Sequence, residues 1–418
     1  MSTEHLAISV LLAVGVIIAV ATAVRPLCER IRQPAVMGQM AAGLVLGVLP
    51  AQLTGVIFPK EILPFLNVIS QLGLVLFLFA IGYELDLRVL RGRLRSTLLV
   101  AVGALVVPLL LGAGLGKLLF GTELSTPSGS AVTPATFILF TACALSITAV
   151  PVLCWILRER GLIGTVAGIV ALAAASIIDI AGWSLLAVPL ASVHGGSVGT
   201  MFFFLAAYLA VMWWIVRPAL RRWMRSSNSR RIRVPVLTAL AIGSAYCTAK
   251  MGLHFIFGAL FMGLITPREE DGAHDPELLG SVESESSALL PVFFVVTGLS
   301  VDIGGLSRGT WALLVLICAL AIAGKIGGGT IAARLAGMPT RAALSVGVLL
   351  NTRGLTELIA LNAGWEAKII GREFYTVLVI MAVFTTAMTG PLITLLQRPK
   401  RSADTSRKRG PSRARNGP

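Results

Sequence analysis

Charge is scarce in this chain. Only 13% of its 418 residues are Asp, Glu, Lys or Arg, and 56% are hydrophobic. A soluble domain carries about 25% charged residues, so a water-exposed globular protein is excluded. Histidine and cysteine are also few, at 4 and 5 residues. Cys28, Cys143, Cys154, Cys247 and Cys318 show no metal-ligand spacing, and four of them fall within or at the end of apolar segments. They read as small core residues and define no disulfide framework. His5, His194 and His274 lie in loops or at an end, and His254 opens an apolar segment. The chain has no HExxH, no paired aspartates and no Ser–His arrangement on neighbouring segments, so it is not read as an enzyme. The Gly-Lys pairs at 116–117 and 324–325 lack the spacing and hydroxyl of a phosphate loop and read as packing glycines.

What the sequence has instead is a succession of apolar runs of about twenty residues, each long enough to cross a bilayer as a helix. The fold class is therefore all-α, a polytopic membrane protein with about 13 transmembrane helices. The spans fall at 6–24, 35–57, 64–84, 97–119, 134–157, 161–190, 199–217, 234–250, 252–266, 286–303, 310–333, 341–362 and 372–396. Only Lys250 and Gly252 mark the split within 234–266. The first span lacks a basic leader and a small-residue cleavage site, so it reads as retained and not as a signal peptide.

The formal net charge of +15 could suggest a polyanionic partner. Its distribution argues otherwise. Much of it lies in the polar, Pro/Ser-rich tail 397–418, expected to be disordered, solvated and cytoplasmic. The rest clusters in loops around Arg25–Arg32, Arg88–Arg95, Arg158–Arg160, Arg217–Arg233 and Arg334–Arg341. These loops share one side if the spans number thirteen, which places the N-terminus outside and the C-terminus in the cytoplasm. No nucleic acid is needed to explain them. The loop 267–285 lies on the same side but is acidic. The loops are too short for an appended soluble domain, so none is expected.

Asp179 is the only ionisable group in GLIGTVAGIVALAAASIIDIAGWSLLAVPL, residues 161–190. A carboxylate at that depth costs at least ~2.5–3.5 kcal/mol on insertion scales. Either it faces a water-filled cavity and binds a proton, an ion or a charged partner, or it is tied to another helix. Ser146, Thr148 and Pro151 interrupt span 134–157. Pro151 has no N–H and frees the carbonyl of Ile147, either as an ordinary kink or as part of a site for a small hard cation. Asn351, Arg353, Gly354 and Glu357 interrupt span 341–362. Arg353 and Glu357 are four apart, so they either neutralise each other or take part in transport. Lys325 is a buried cation in span 310–333 that either needs an anion or loses its proton. Glu84 and Asp86 end span 64–84, with Asp86 the better candidate for a plain interfacial cap. The two interrupted spans are the middle members of the triplets four to six and eleven to thirteen. Matching interruptions of this kind point to two inverted repeats with a binding site at the midplane.

The same residues carry a resemblance. IRQPAVMGQMAAGLVLG, LGLVLFLFAIGYELDL, ALSITAVPVLCWILRERGL, HFIFGALFMGLITPR, LLPVFFVVTGLSVDI, GKIGG and NTRGLTELIALNAG resemble, in order, signature blocks of the monovalent cation:proton antiporter-2 family, over about residues 30–396. The resemblance implies the sodium/proton antiporter fold, with crossed broken helices in a core and a second domain that usually dimerises. It implies scaffold helices at 1–96 and 234–305, core repeats at 97–190 and 306–396, and a linker helix at 191–233. It makes Asp179 the carboxylate that alternates between a proton and the transported cation, with Thr148 in the crossing region and Lys325 as the core cation. Ser146 joins the ion-binding group, and Arg353, Glu357, Glu84 and Asn351 support it.

Ile178 stands where relatives carry Asp or Asn beside that carboxylate. Lys325 then lacks the acid its counterpart pairs with, and the expectation is a direct Lys325–Asp179 pair displaced by the cation. The resemblance implies an elevator-like movement of the core against the second domain, and with a lone carboxylate one-for-one, electroneutral exchange of Na⁺ or K⁺ for H⁺ follows most simply. The expected setting is a homodimer in the plasma membrane, with no cofactor beyond the transported ions. The alternatives are a potassium-efflux channel or exchanger of related fold, an organic-anion symporter of similar topology, and a non-transporting membrane scaffold or sensor.

Overall fold

The computed structural model describes residues 3–30, 57–84, 94–122, 132–162, 164–193, 198–226, 230–251, 255–268, 275–301 and 306–397, with single positions at 38, 42, 45, 46 and 55. The expected second span, 35–57, and the tail from 398 onward fall almost wholly outside them, as does His254. The described residues are helical with short connections and no strand. Nine of these helices are long and apolar enough to cross a membrane, and three shorter apolar helices accompany them. The protein is a multi-pass membrane protein.

In chain order the helices are α1 (Thr3–Arg30), α2 (Leu63–Glu84), α3 (Leu94–Leu119), α4 (Pro134–Ser146), α5 (Val150–Glu159) and α6 (Val166–Val193). Next come α7 (Val198–Val211), a π turn (Met212–Val216), α8 (Arg217–Ser226), α9 (Arg230–Lys250), α10 (Phe255–Ile265) and α11 (Pro276–Ser300). The last described helices are α12 (Arg308–Ile322), a second π turn (Ala323–Gly327), α13 (Gly328–Leu335), α14 (Thr340–Leu350), α15 (Leu355–Glu366) and α16 (Arg372–Gln397).

Local chemistry sets several boundaries. Thr133 caps α4 by accepting from the Thr136 N–H at 3.2 Å, with Pro134 next in line where no N–H is needed. Ser307 does the same for α12 through the Thr310 N–H. Asp275 caps α11 by accepting from the N–H groups of Glu277 and Leu278, again followed by a proline. That cap shortens the acidic loop expected over 267–285, because residues from Pro276 onward are helical. The expected split within 234–266 also appears, with α9 ending at Lys250 and α10 opening at Phe255.

Two groups of helices emerge from the packing. α2 lies against α10 and α11, with α9 on α10 and α1 on α11. The α2–α10 contact is close because Gly82 faces the Leu260 carbonyl and Gly263 faces the Phe79 carbonyl, where a Cβ would collide with backbone. In a membrane, where lipid is as apolar as leucine, such small-residue contacts are a main source of helix association. The second group holds α3 against α4, α6 and α13, and α14 against α6, α13 and α16. Its interior is filled by small and branched residues such as Val100, Ala104, Leu153, Ala171, Ala174 and Leu349. Gly112 and Gly116 of α3 sit on Ala142 and Ile138 of α4, the packing role expected for that glycine run.

Candidate functional site

The two interrupted spans are each broken into a pair of half-helices. Between α4 and α5 the chain leaves helical geometry at Ile147–Ala149, with Ile147 extended (φ −64°, ψ 146°). Pro151 is therefore the second residue of α5 and not the break itself, since the helix is already interrupted three residues before it. A proline in a first turn costs no hydrogen bond. Between α14 and α15 the break runs over Asn351–Gly354. Gly354 has φ +148° and ψ −131°, a region that essentially only glycine occupies, and a Cβ there would lie 3.0 Å from Val152 Cγ2.

The breaks cross. The Ala149 N–H donates to the Thr352 carbonyl at 3.0 Å, Thr148 Oγ1 donates to the Leu350 carbonyl at 3.4 Å, and Thr356 Oγ1 to the Thr148 carbonyl at 3.5 Å. Backbone groups that a broken helix leaves open are thus closed by the other broken helix, as burial at this depth requires.

The C-terminal end of α4 carries a concentration of carbonyls and the negative end of its dipole. Every one of its last four carbonyls is used. Cys143 O accepts from the Ile147 N–H at 3.1 Å. Ala144 O accepts from Arg353 Nη1 at 2.9 Å and Leu145 O from Arg353 Nη2 at 2.5 Å. Ser146 O accepts from Lys325 Nζ. Both cations are fully buried. Lys325 reaches this place from the π turn Ala323–Gly327, the kind of helix irregularity that often marks functional positions.

Lys325 Nζ also donates to Thr148 Oγ1 at 2.6 Å, and it makes no ion pair with Asp179. The expected direct Lys325–Asp179 pair is therefore corrected. An ammonium has three N–H donors, and the Ser146 carbonyl at the α4 end and Thr148 Oγ1 in the first break satisfy two of them. The two charges still feel each other electrostatically.

Asp179 lies mid-way along α6 and is only 4% exposed. Its carboxylate faces the Val150 N–H at the N-terminus of α5, the positive end of that half-helix. Oδ1 has no hydrogen-bond partner. Ile178 beside it is fully buried in the apolar cluster between α3, α5 and α14.

Arg353 and Glu357 pair, Nη1 to Oε1 at 2.7 Å, with both side chains fully buried. Arg353 precedes α15, so the pair spans the helix start and does not lie along a helix face. Glu357 Oε2 has no partner. Asn351 turns its Nδ2 to the Thr385 carbonyl at 3.3 Å and leaves Oδ1 unpartnered. Ser146 turns its hydroxyl back to the Cys143 carbonyl, so its backbone oxygen is what it offers the site. Glu84 ends α2, the helix that packs chiefly on α10 and α11.

Residues of α16 were not expected here. Thr386 Oγ1 accepts from the Arg353 N–H at 3.0 Å, and the Thr385 carbonyl holds Asn351. The run TTAMT at 385–389 interrupts the last apolar span with three hydroxyls, and that was the available signal.

The chain and its fold have known counterparts. The family model described as sodium/hydrogen exchanger, transmembrane, matches residues 15–398. The chain is 34% identical to the Na(+)/H(+) antiporter NhaS4 of Synechocystis, over 90% of this chain and 94% of the relative. It is 35% identical to Cation/H(+) antiporter 20 of Arabidopsis thaliana, over 93% of this chain but 48% of that protein. The chain thus spans about half the length of several curated relatives it matches. Its fold superposes on the sodium proton antiporter MjNhaP1 of Methanocaldococcus jannaschii with a TM-score of 0.69, at 13% identity, covering 93% of this chain and 96% of that one. Because that family model covers residues 15–398 of the 418, the chain belongs to the sodium/hydrogen exchanger family of membrane proteins.

Proposed function

We propose that the protein is a secondary antiporter that exchanges Na⁺ or K⁺ for H⁺ across the plasma membrane, with Asp179 as the exchange site. The observation that carries this reading is Asp179 itself: a carboxylate 4% exposed, facing a half-helix N-terminus, with one oxygen unpartnered. Such a group binds either a proton or a small cation, and competition for it couples the two flows without ATP. The relative from Synechocystis is named for Na⁺/H⁺ exchange and the one from Arabidopsis for cation/H⁺ exchange, which supports this substrate class.

A cation bound at Asp179 draws its remaining oxygens from the first break. The candidates are Thr148 Oγ1 and the Ser146 carbonyl, both held by Lys325 Nζ. The ammonium is a tethered stand-in for the transported ion, so cation entry requires Lys325 to give up these oxygens. With one carboxylate for one proton or one cation, exchange is electroneutral.

The two helix groups support the expected division of labour. α3–α6 with α12–α16 form two inverted repeats that move as the core, and α1, α2 and α9–α11 form the scaffold, through which two copies associate. The core shifts against the scaffold in an elevator-like step, with the N-terminus outside and the C-terminus in the cytoplasm.

The test is dequenching of a pH dye in proteoliposomes, cation by cation, with and without a voltage clamp. Exchange with Na⁺ or K⁺ that is lost in Asp179→Asn and neither responds to nor generates a potential is the expected result. Undiminished flux in Asp179→Asn overturns the site, and flux that generates a potential overturns electroneutrality.

A further inference from the structure

Asp179 is not the only carboxylate buried with these charges. Glu357 is fully buried, uses one oxygen on Arg353, and leaves Oε2 with no partner. Arg353 does not depend on it for anchorage. Its Nη1 and Nη2 are held by the carbonyls of Ala144 and Leu145, and its backbone N–H by Thr386. A residue whose whole task was to position Arg353 would therefore be largely redundant. What Glu357 adds is a negative charge.

Two charged groups act on it directly, Arg353 from the second break and Lys325 from the π turn. Lys325 in turn acts on Asp179 of α6, and Arg353 on Cys318 of α12. α4 contributes carbonyls, and α16 contributes hydroxyls and a carbonyl. With Arg353 and Lys325 positive and Asp179 and Glu357 negative, the group is neutral with Asp179 empty and carries one positive charge when it holds either a proton or a monovalent cation. Remove Glu357 and both loaded states carry two positive charges in a low-dielectric interior, where such repulsion is felt strongly.

We infer that Glu357 is the counter-charge of the exchange site, a positioning residue that sets how tightly Asp179 holds its ion by offsetting Lys325 across the helix crossing. This rests on the reading of Asp179 as that site. The substrate never touches Glu357. Its effect is Coulombic and acts on protons and cations alike.

The experiment compares wild type with Glu357→Gln, Glu357→Asp, Lys325→Gln, the double variant Lys325→Gln with Glu357→Gln, and Asp179→Asn. Two quantities are read: stabilisation of the purified protein against heat by NaCl and KCl, and the pH profile of exchange in proteoliposomes. Glu357→Gln is expected to weaken the cation response about tenfold and move the exchange profile to lower pH. Lys325→Gln is expected to shift both the opposite way. Glu357→Asp keeps the charge and stays near wild type, and the double variant, neutral again, returns toward it. Where Glu357→Gln does not fold, the double variant decides. A folded double variant with near wild-type cation response supports the assignment, and one that also fails to fold means Glu357 is a structural clamp. An unchanged cation response and pH profile in Glu357→Gln overturns the counter-charge while leaving Asp179 intact. A cation response that survives Asp179→Asn overturns the site reading itself.

Discussion

Lys325 Nζ lies 2.6 Å from Thr148 Oγ1, joining the π turn of the later half of the chain to the helix break of the earlier half. Thr148 passes the contact on, donating to the Leu350 carbonyl at the end of α14. One hydroxyl thus ties together a buried ammonium and both crossed helices. Replacing Thr148 by Val keeps the shape and removes the hydroxyl. The expected result is a folded protein with a lower melting temperature and a several-fold weaker apparent affinity for Na⁺ or K⁺, measured by dye dequenching against cation concentration. A buried donor left without its acceptor costs about 1–3 kcal/mol. Unchanged affinity would remove Thr148 from the cation shell.

Arg353 satisfies two carbonyls of α4 and one oxygen of Glu357. Arg353→Ala strips all three partners at once. Breaking a buried pair costs about 3–5 kcal/mol, so loss of folded, monodisperse protein in detergent is expected. Arg353→Lys cannot reach both carbonyls with one planar group, and it is expected to fold with a clearly lowered melting temperature. An Arg353→Ala protein as heat-stable as wild type would show that the α4 end has another source of satisfaction.

Gly354 adopts φ +148° against Val152. Gly354→Ala places a methyl group where the backbone conformation disfavours it, at a cost of about 1–3 kcal/mol. Because this residue sets the entry to α15, exchange is expected to slow together with the fall in melting temperature. Normal turnover with normal stability would mean that the break can relax without consequence.

Asp275 supplies a control in the other helix group, where α11 packs on α2, α9 and α1. It caps α11 through two backbone N–H groups and lies 3.5 Å from Arg233. Asp275→Ala is expected to cost about 1 kcal/mol of stability and to leave the cation affinity of exchange unchanged, as judged by parallel heat-denaturation and flux measurements. A shift in cation affinity would tie this end of α11 to the transport step.

Much of the site was legible because buried charge is rare in a membrane. Asp179, Lys325 and the run Asn351–Glu357 each stood out as ionisable or polar groups within apolar segments. Ser146 and Thr148 beside Pro151 marked the first break, although the proline turned out to start the second half-helix. The partner of Lys325 was not legible. It depends on a π turn that rotates the side chain toward the α4 carbonyls, and that turn has no composition of its own beyond glycine. The hydroxyls of α16 were missed for a related reason. Thr385, Thr386 and Thr389 bond to carbonyls of their own helix, as threonines in apolar helices commonly do. Only the approach of Arg353 and Asn351 gives that face a role at the site.

The filled carbonyl end of α4 has a bearing on how the chain is made. The groups that complete it, Lys325 and Arg353, follow it by about two hundred residues in the sequence. During synthesis the first broken helix enters the membrane well before either cation exists. Until they arrive, three bare carbonyls at its tip have to be served by water, by lipid headgroups or by a chaperone. The first half of the molecule is therefore held open to the second half by its own chemistry, and the closing of that gap is the event that makes the two halves one protein.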